Sequence, residues 1–227
     1  MAKSKIIVVD DHPAMRGGIR VLLESGLEAE VCAEAGNREE LLHVMRGVRP
    51  DLAIVDITLN DKSGTGLDLI PLLQAQYGPK FPILIYSMHD EALYAERALA
   101  AGARGYLMKQ APVRSILKAV ERVLGGEIYL SPRMSQELLR THVKGHEKCS
   151  ESVSVDQLSN REFEVFRLLG KGFPPREIAR SLFVSVKTVE AHRARIREKL
   201  GFGNAAELTR YAVDWVHRDS GEQQEGM

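Results

Sequence analysis

Ile6-Ile7-Val8-Val9-Asp10-Asp11 decides the reading of the first half of the chain. Four β-branched residues in a row, with no polar alternation, read as a strand covered on both faces. The two carboxylates at its end then stand at the rim of a sheet, where open parallel sheets bind ligands. A helical pattern over 13–25 follows, with Pro13 in its first turn. The alternation repeats along the chain. Strand 29–35 precedes helix 38–46. Leu52-Ala53-Ile54-Val55 precedes a polar, glycine-containing loop and a helix over 67–76. Ile83-Leu84-Ile85-Tyr86 precedes helix 92–101, and strand 105–108 precedes helix 113–124, closed by Gly125-Gly126. Five strand–helix units predict an α/β domain over residues 1–125, a doubly wound five-stranded parallel sheet of flavodoxin-like order.

Four of those strands deliver polar groups to one rim: Asp10 and Asp11 after the first, Asp56 after the third, Ser87 at the fourth and Lys109 after the fifth. Three crowded carboxylates repel one another unless a hard cation lies among them. Mg²⁺ fits, because it accepts carboxylate oxygens and keeps waters and phosphate oxygens. A carboxylate is also a nucleophile that forms an aspartyl phosphate. Lys109 and a metal would offset the charge of a transferred phosphoryl group, and Ser87 would donate to one of its oxygens.

From residue 126 the pattern changes. Residues 126–157 read as a linker with one helix, about 131–144, and the Ser-rich stretch 145–156 as its flexible part. Residues 158–218 are helical throughout, an all-α unit of four helices. Ser159 and Glu162 form a capping box, Pro174-Pro175 opens a second helix, Ser185 caps a third over 186–200 that stops at Gly201, and Asn204 starts a fourth. Two short helices with a tight turn between them read as helix-turn-helix. On the third helix Val189, Ile196 and Leu200 share one face. Lys187, Glu190, Ala191 and Ala194 lie opposite, flanked by Thr188, His192, Arg195 and Lys199. The outer row suits base edges in double-stranded DNA, and the flanking row suits phosphates. Glu190 has an equal alternative, an ion pair with Arg193 one turn on. Leu208, Tyr211 and Trp215 share a face of the fourth helix, either as core or as a dimerisation surface.

Charge distribution agrees with this division. The chain is neutral overall, yet residues 158–218 carry 12 Lys and Arg against 7 Asp and Glu, so only this part favours a polyanion. Residues 219–227 form an acidic tail. Cys32 and Cys149 lack metal-ligand spacing and fit a reducing, cytoplasmic setting, and no apolar segment is long enough for a signal peptide or a membrane span.

With these residues in place, the first 125 positions resemble the receiver domain of two-component signalling. Leu158-Ser-Asn-Arg-Glu, Glu177-Ile-Ala and Thr188-Val-Glu-Ala-His resemble the LuxR-type domain. The whole resembles a NarL/FixJ-type response regulator. The resemblance implies phosphorylation of Asp56 by a sensor histidine kinase and Mg²⁺ on Asp10, Asp11, Asp56 and the Thr58 carbonyl. It also implies a Ser87–Tyr106 switch pair, a phosphate-contacting Lys109 and DNA binding as a homodimer. Phosphate would attract Ser87, and Tyr106 would then turn inward. Two features depart from the receiver pattern. Asn60 replaces the usual proline in a loop about two residues longer than usual, and Met88 is bulky for its place. A DNA-binding regulator with a degenerate, phosphorylation-independent receiver is therefore the alternative. A phosphohydrolase is the less suited reading, since such enzymes carry a second Asp where this chain has Thr58. No enzyme activity is expected.

Overall fold

Ile6, Ile7, Val8 and Val9 are all fully buried, as an unbroken apolar run requires of a strand covered on both faces. In the computed structural model, which describes residues 3–59, 64–143 and 154–221, the chain divides into two compact units, Met1–Glu147 and Lys148–Met227.

The first unit alternates strands and helices: β1 Ser4–Val9, α1 Pro13–Gly26, β2 Ala29–Ala35, α2 Arg38–Val44, β3 Leu52–Val55, α3 Ile70–Tyr77, β4 Ile83–Ser87, α4 Glu91–Ala101, β5 Gly105–Met108 and α5 Arg114–Leu124. The sheet is parallel, in the order β2-β1-β3-β4-β5. This is the flavodoxin-like order expected from sequence. Ile6, Val8, Leu52, Ile54, Leu84 and Leu107 pack with Ile19 and Leu23 of α1 and with Ile116, Val120 and Val123 of α5. The alternate residues Ile7, Val9, Ala53, Val55 and Ile85 are equally buried on the other face. Each such Val, Leu or Ile side chain contributes roughly 1.5–3 kcal/mol by leaving water. The expected third helix begins as a single 3-10 turn, Gly66–Leu69, capped reciprocally by Thr65 and Asp68.

The boundary at residue 125 needs correction. The chain runs on beside β5, with Tyr129 bridged in parallel to Gly105. Tyr129 N donates to the Arg104 carbonyl, and Tyr106 N donates to the Tyr129 carbonyl. Helix α6, Pro132–Val143, packs on α4, and Leu130 and Met134 are buried. Residues 126–143, read as linker, are therefore part of the first unit. An edge pairing of one residue and an apolar pair four apart leave almost no periodic signal, which is why the sequence pattern missed them. Most of the stretch 145–156, read from sequence as the flexible part of the linker, lies outside the described residues. Its last part folds into a 3-10 turn, Val155–Gln157, with Val155 buried.

The second unit comprises α7 Asn160–Gly170, α8 Pro175–Ser181, α9 Val186–Leu200 and α10 Ala205–Gly221. The Ser159–Glu162 capping box is complete, Ser185 accepts from Thr188 N, and Gly201 ends α9 in the left-handed conformation (φ 73°). Helices α7 and α10 cross closely at Gly170, where a Cβ would overlap the Ala212 carbonyl oxygen. Phe163 and Phe166 meet the Trp215 ring edge-on, and Tyr211 tilts against Phe166 and Phe202. Leu208 is 1% exposed. These three α10 residues thus pack within their own unit, and Leu208 has no surface left to offer a partner. The tail from residue 222 lies outside the described residues.

Candidate functional site

Strand register builds the acidic rim. Val9 pairs with Val55 across β1 and β3, so the next residues, Asp10 and Asp56, stand side by side. This is where the strand order reverses, the place at which such sheets bind ligands. Ser87 pairs with Met108 across β4 and β5, which sets Lys109 on the same rim. Asp56 N donates to the Val9 carbonyl, and Lys109 N to the Ser87 carbonyl, at 2.8 Å each.

Lys109 Nζ lies 2.5 Å from Asp10 Oδ2 and 2.7 Å from Asp56 Oδ2. All three side chains are almost wholly buried. Burial alone would push the Lys109 amine down, but Asp56 and Asp10 hold it above its ordinary value. Burial pushes the Asp56 carboxyl up, against the pull of Lys109 and of a hydrogen bond from Ser87. One cation thus serves two buried carboxylates, with a third, Asp11, beside them. Asp11 Oδ1 is buried and, although 2.6 Å from His12 Nδ1, receives no directed hydrogen bond. Ligand atoms of Asp10, Asp11 and His12 lie within 4.8 Å of one another. Excess negative charge and an unsatisfied buried oxygen are what a hard divalent cation would complete.

Two residues of the rim, Gly66 and His89, carry no sequence signal of their own. Gly66 presses on the phosphoacceptor candidate: a Cβ there would overlap the Asp56 carbonyl oxygen, and Gly66 N donates to the Ile57 carbonyl at 2.8 Å. His89 Nε2 is 2.9 Å from Thr58 Oγ1, joining the β3 and β4 loops, and its ring stacks on Tyr94. Ser87 is fully buried and bonded to Asp56, and His89 N approaches its Oγ at 3.5 Å. The strand-end rule finds residues at a rim, but not those that reach it from neighbouring loops.

The Tyr106 ring is fully buried, and its hydroxyl donates to the His89 carbonyl at 3.0 Å. Tyr106 also lines a cavity of about 370 Å³. The unusual residue Asn60 lies outside the described residues. Met88 is 57% exposed and points away from the rim's interior.

On α9, Val189, Ile196 and Leu200 are buried, and Lys187, Glu190, Ala191, Ala194 and Arg195 are exposed. Thr188 is engaged in the Ser185 cap through N and Oγ1. Glu190 pairs with Arg193 at 2.8 Å. His192 is half-buried, with Nδ1 lacking a hydrogen bond. Burial, reinforced by Arg195 and Arg161, pushes its imidazole below the ordinary 6.5. Lys199 turns back into its own unit, 2.7 Å from the buried Glu162 carboxylate and 3.3 Å from the Gln157 carbonyl. Its charge is therefore engaged at home. Among the described residues no helix is long and apolar enough to cross a membrane.

Comparisons with known proteins bear on both units. Residues 6–121 match the response regulator receiver domain family, and residues 156–212 match the luxR family of bacterial regulatory proteins. The oxygen regulatory protein NreC of Staphylococcus haemolyticus is 35% identical over 213 residues, spanning 92% of this chain and 96% of that protein. NreC of Staphylococcus carnosus is 35% identical over 211 residues, with the same coverage. Among solved structures, RcsB from Salmonella enterica serovar Typhimurium, bound to promoter P1flhDC in the presence of the phosphomimetic BeF3-, is similar with a TM-score of 0.60. It is 27% identical, and the match covers 92% of this chain and 98% of that one. A structure of two RcsB dimers bound to two parallel DNAs matches at a TM-score of 0.55 and 27% identity, covering 92% and 97%. An aspartate-lined rim on a five-stranded parallel sheet, followed by a helix-turn-helix unit and matched across both units by these relatives, leaves one assignment: the chain belongs to the NarL/FixJ-type response regulators, which join a receiver domain to a LuxR-type DNA-binding domain.

Proposed function

We propose that Asp56 is the phosphoacceptor through which a sensor histidine kinase sets the DNA affinity of this regulator. The observation that carries this reading is the Asp56 carboxylate, 3% exposed, sharing the Lys109 amine with Asp10 at the switch point of the sheet. An Asp56 oxygen attacks the phosphorus of a phosphohistidine. The P–N bond breaks and its electron pair stays on the departing imidazole. Lys109 is freed from one carboxylate charge as that oxygen becomes the bridging oxygen of an acyl phosphate, and remains to contact the phosphoryl oxygens. Ser87, already directed at Asp56, donates to one of them. Asp10, Asp11, Asp56 and the Thr58 carbonyl would hold Mg²⁺, which would neutralise charge on the transferred group. Thr58 supplies no acid for turnover, so the domain acts as a switch rather than as an enzyme.

In the second unit, α9 is the recognition helix. Ala191 and Ala194 let its outer face approach base edges in the major groove of double-stranded DNA, with Lys187 and Arg195 on phosphates. Lys199 and Thr188 are less suited to that role, because Glu162 and Ser185 engage them. The active form is a homodimer, as paired recognition helices bind adjacent half-sites at high effective concentration. Since Leu208 is buried, the exposed margins of Tyr211 and Trp215 are the part of that α10 face left for pairing. The protein works in the cytoplasm.

The test is intact mass after incubation with acetyl phosphate and Mg²⁺. The wild type is expected to gain one phosphoryl group and Asp56→Asn none. Failure of the wild type to gain mass would favour a phosphorylation-independent receiver. An equal gain in Asp56→Asn would move the acceptor elsewhere.

A further inference from the structure

Glu91 is a carboxylate in the first turn of α4, only 8% exposed, in a position where such a group ordinarily faces water. Its Oε1 accepts the backbone N–H of Ser131 at 2.8 Å. Ser131 directly precedes α6, and its Oγ accepts from Met134 N in the first turn of that helix. The start of α4 therefore holds the start of α6 through one charge-assisted hydrogen bond.

The same stretch of chain is held a second time. Tyr106 N donates to the Tyr129 carbonyl at 2.9 Å, while the Tyr106 hydroxyl donates to the His89 carbonyl at 3.0 Å. These links close a ring: the Tyr106 side chain to His89, along the backbone to Glu91, across to Ser131, back to Tyr129, and home to Tyr106. Ser87, bonded to Asp56, touches that ring where His89 N approaches its Oγ. A cavity of about 370 Å³ lies against it, lined by Glu91, Tyr106, Tyr129 and Ser131 among others. The ring is closed by short links and backed by open space into which a shift of the whole could be accommodated.

From this geometry we infer that Glu91 couples the Asp56 rim to helix α6, so that the phosphorylation state is transmitted to the segment leading to the DNA-binding unit. This rests on the reading of Asp56 as phosphoacceptor. A phosphoryl group that draws the Ser87 hydroxyl toward itself alters the β4–α4 connection at His89. Glu91 moves with that connection, and the N-terminus of α6 then follows or loses its bond. Glu91 touches no reacting atom; it is a positioning residue. Residues 128–143 become an output element rather than a spacer.

The test uses the full chain with Mg²⁺ and acetyl phosphate, and reads intact mass, hydrogen exchange over 128–143 and DNA affinity on the same samples. In the wild type, phosphoryl uptake should change exchange in that segment and raise DNA affinity. Glu91→Ala should take up the phosphoryl group to the wild-type extent. Its segment should exchange rapidly in both states, and the ratio of phosphorylated to unphosphorylated DNA affinity should fall about fivefold or more. Glu91→Gln keeps an oxygen that accepts from Ser131 N–H and should restore most of the ratio. That rescue separates coupling from a general loss of fold. Wild-type exchange unmoved by phosphorylation would overturn the inference. So would phosphorylated Glu91→Ala keeping both the exchange change and the affinity ratio. Absence of uptake in the wild type would instead overturn the Asp56 reading, and this inference with it.

Discussion

Each unit buries a carboxylate against a lysine far away in sequence, and the two pairs differ in their accounting of charge. In the second unit Glu162 faces one lysine, Lys199, and the same carboxylate completes the cap of α7 by accepting from Ser159 N. Both charges of that pair have a structural partner, and Lys199, 40% exposed, keeps part of its water. In the first unit Lys109, 3% exposed, stands between two buried carboxylates with a third alongside, and one Asp11 oxygen goes without a directed bond. A balanced pair is what a fold needs. A surplus of one sign, kept out of water at the edge of a sheet, is costly to the fold and marks a place held ready for a ligand.

Breaking the ion pair in each unit tests that contrast most severely. Lys109→Met leaves Asp10 and Asp56 buried with no counter-charge, and the first unit should lose about 3 kcal/mol or more in urea unfolding without divalent metal. Millimolar Mg²⁺ should return a large part of that loss. If the variant is as stable as wild type and indifferent to Mg²⁺, the surplus is not real. Glu162→Gln is the matching change in the second unit. It should cost about 2 kcal/mol, less than a fully buried pair, because the stranded Lys199 can turn to solvent and the amide retains part of the cap. Mg²⁺ should restore nothing there, and recovery by the metal would erase the distinction between the units.

A gentler probe is pH. The Glu162 carboxyl is pushed up by burial, but Lys199 and Ser159 outweigh this and hold it below 4.5. Its contribution is therefore complete above pH 4.5 and is lost as pH falls through the folded value. His192 lies below 6.5 in the fold, so the unfolded chain takes up its proton first on acidification. Stability of the second unit should be full above pH 6.5 and begin to decline below it. Melting profiles between pH 7.5 and 5.5 measure the slope, and His192→Gln should flatten it. A slope unchanged by that substitution would place the proton uptake elsewhere.

Much of this was legible from local pattern. Four apolar runs located β1, β3, β4 and β5, and parallel register alone then brought Asp10, Asp56, Ser87 and Lys109 together. The caps of α7 and α9 stand where Ser159 and Ser185 indicate. What escaped depends on partners distant in sequence. Lys199 reads as one more basic residue on a helix face until Glu162, 37 positions earlier, is found under it. Gly66 reads as a loop glycine until its contact with the Asp56 backbone is seen. Tyr106 was placed correctly on β5, but its orientation depends on a carbonyl from another strand's loop. Periodicity reports which face a residue occupies, and says nothing of which single atom it will meet there.

The pairing of Tyr129 with β5 has a practical side. It occupies the Arg104 carbonyl and the Tyr106 amide on the outer margin of the sheet, groups that would otherwise offer a template to any extended peptide. A receiver excised at residue 125, the end that sequence pattern recommends, would uncover them and invite strand-to-strand aggregation. Expression of the isolated domain is better ended beyond α6, where that margin stays sheathed.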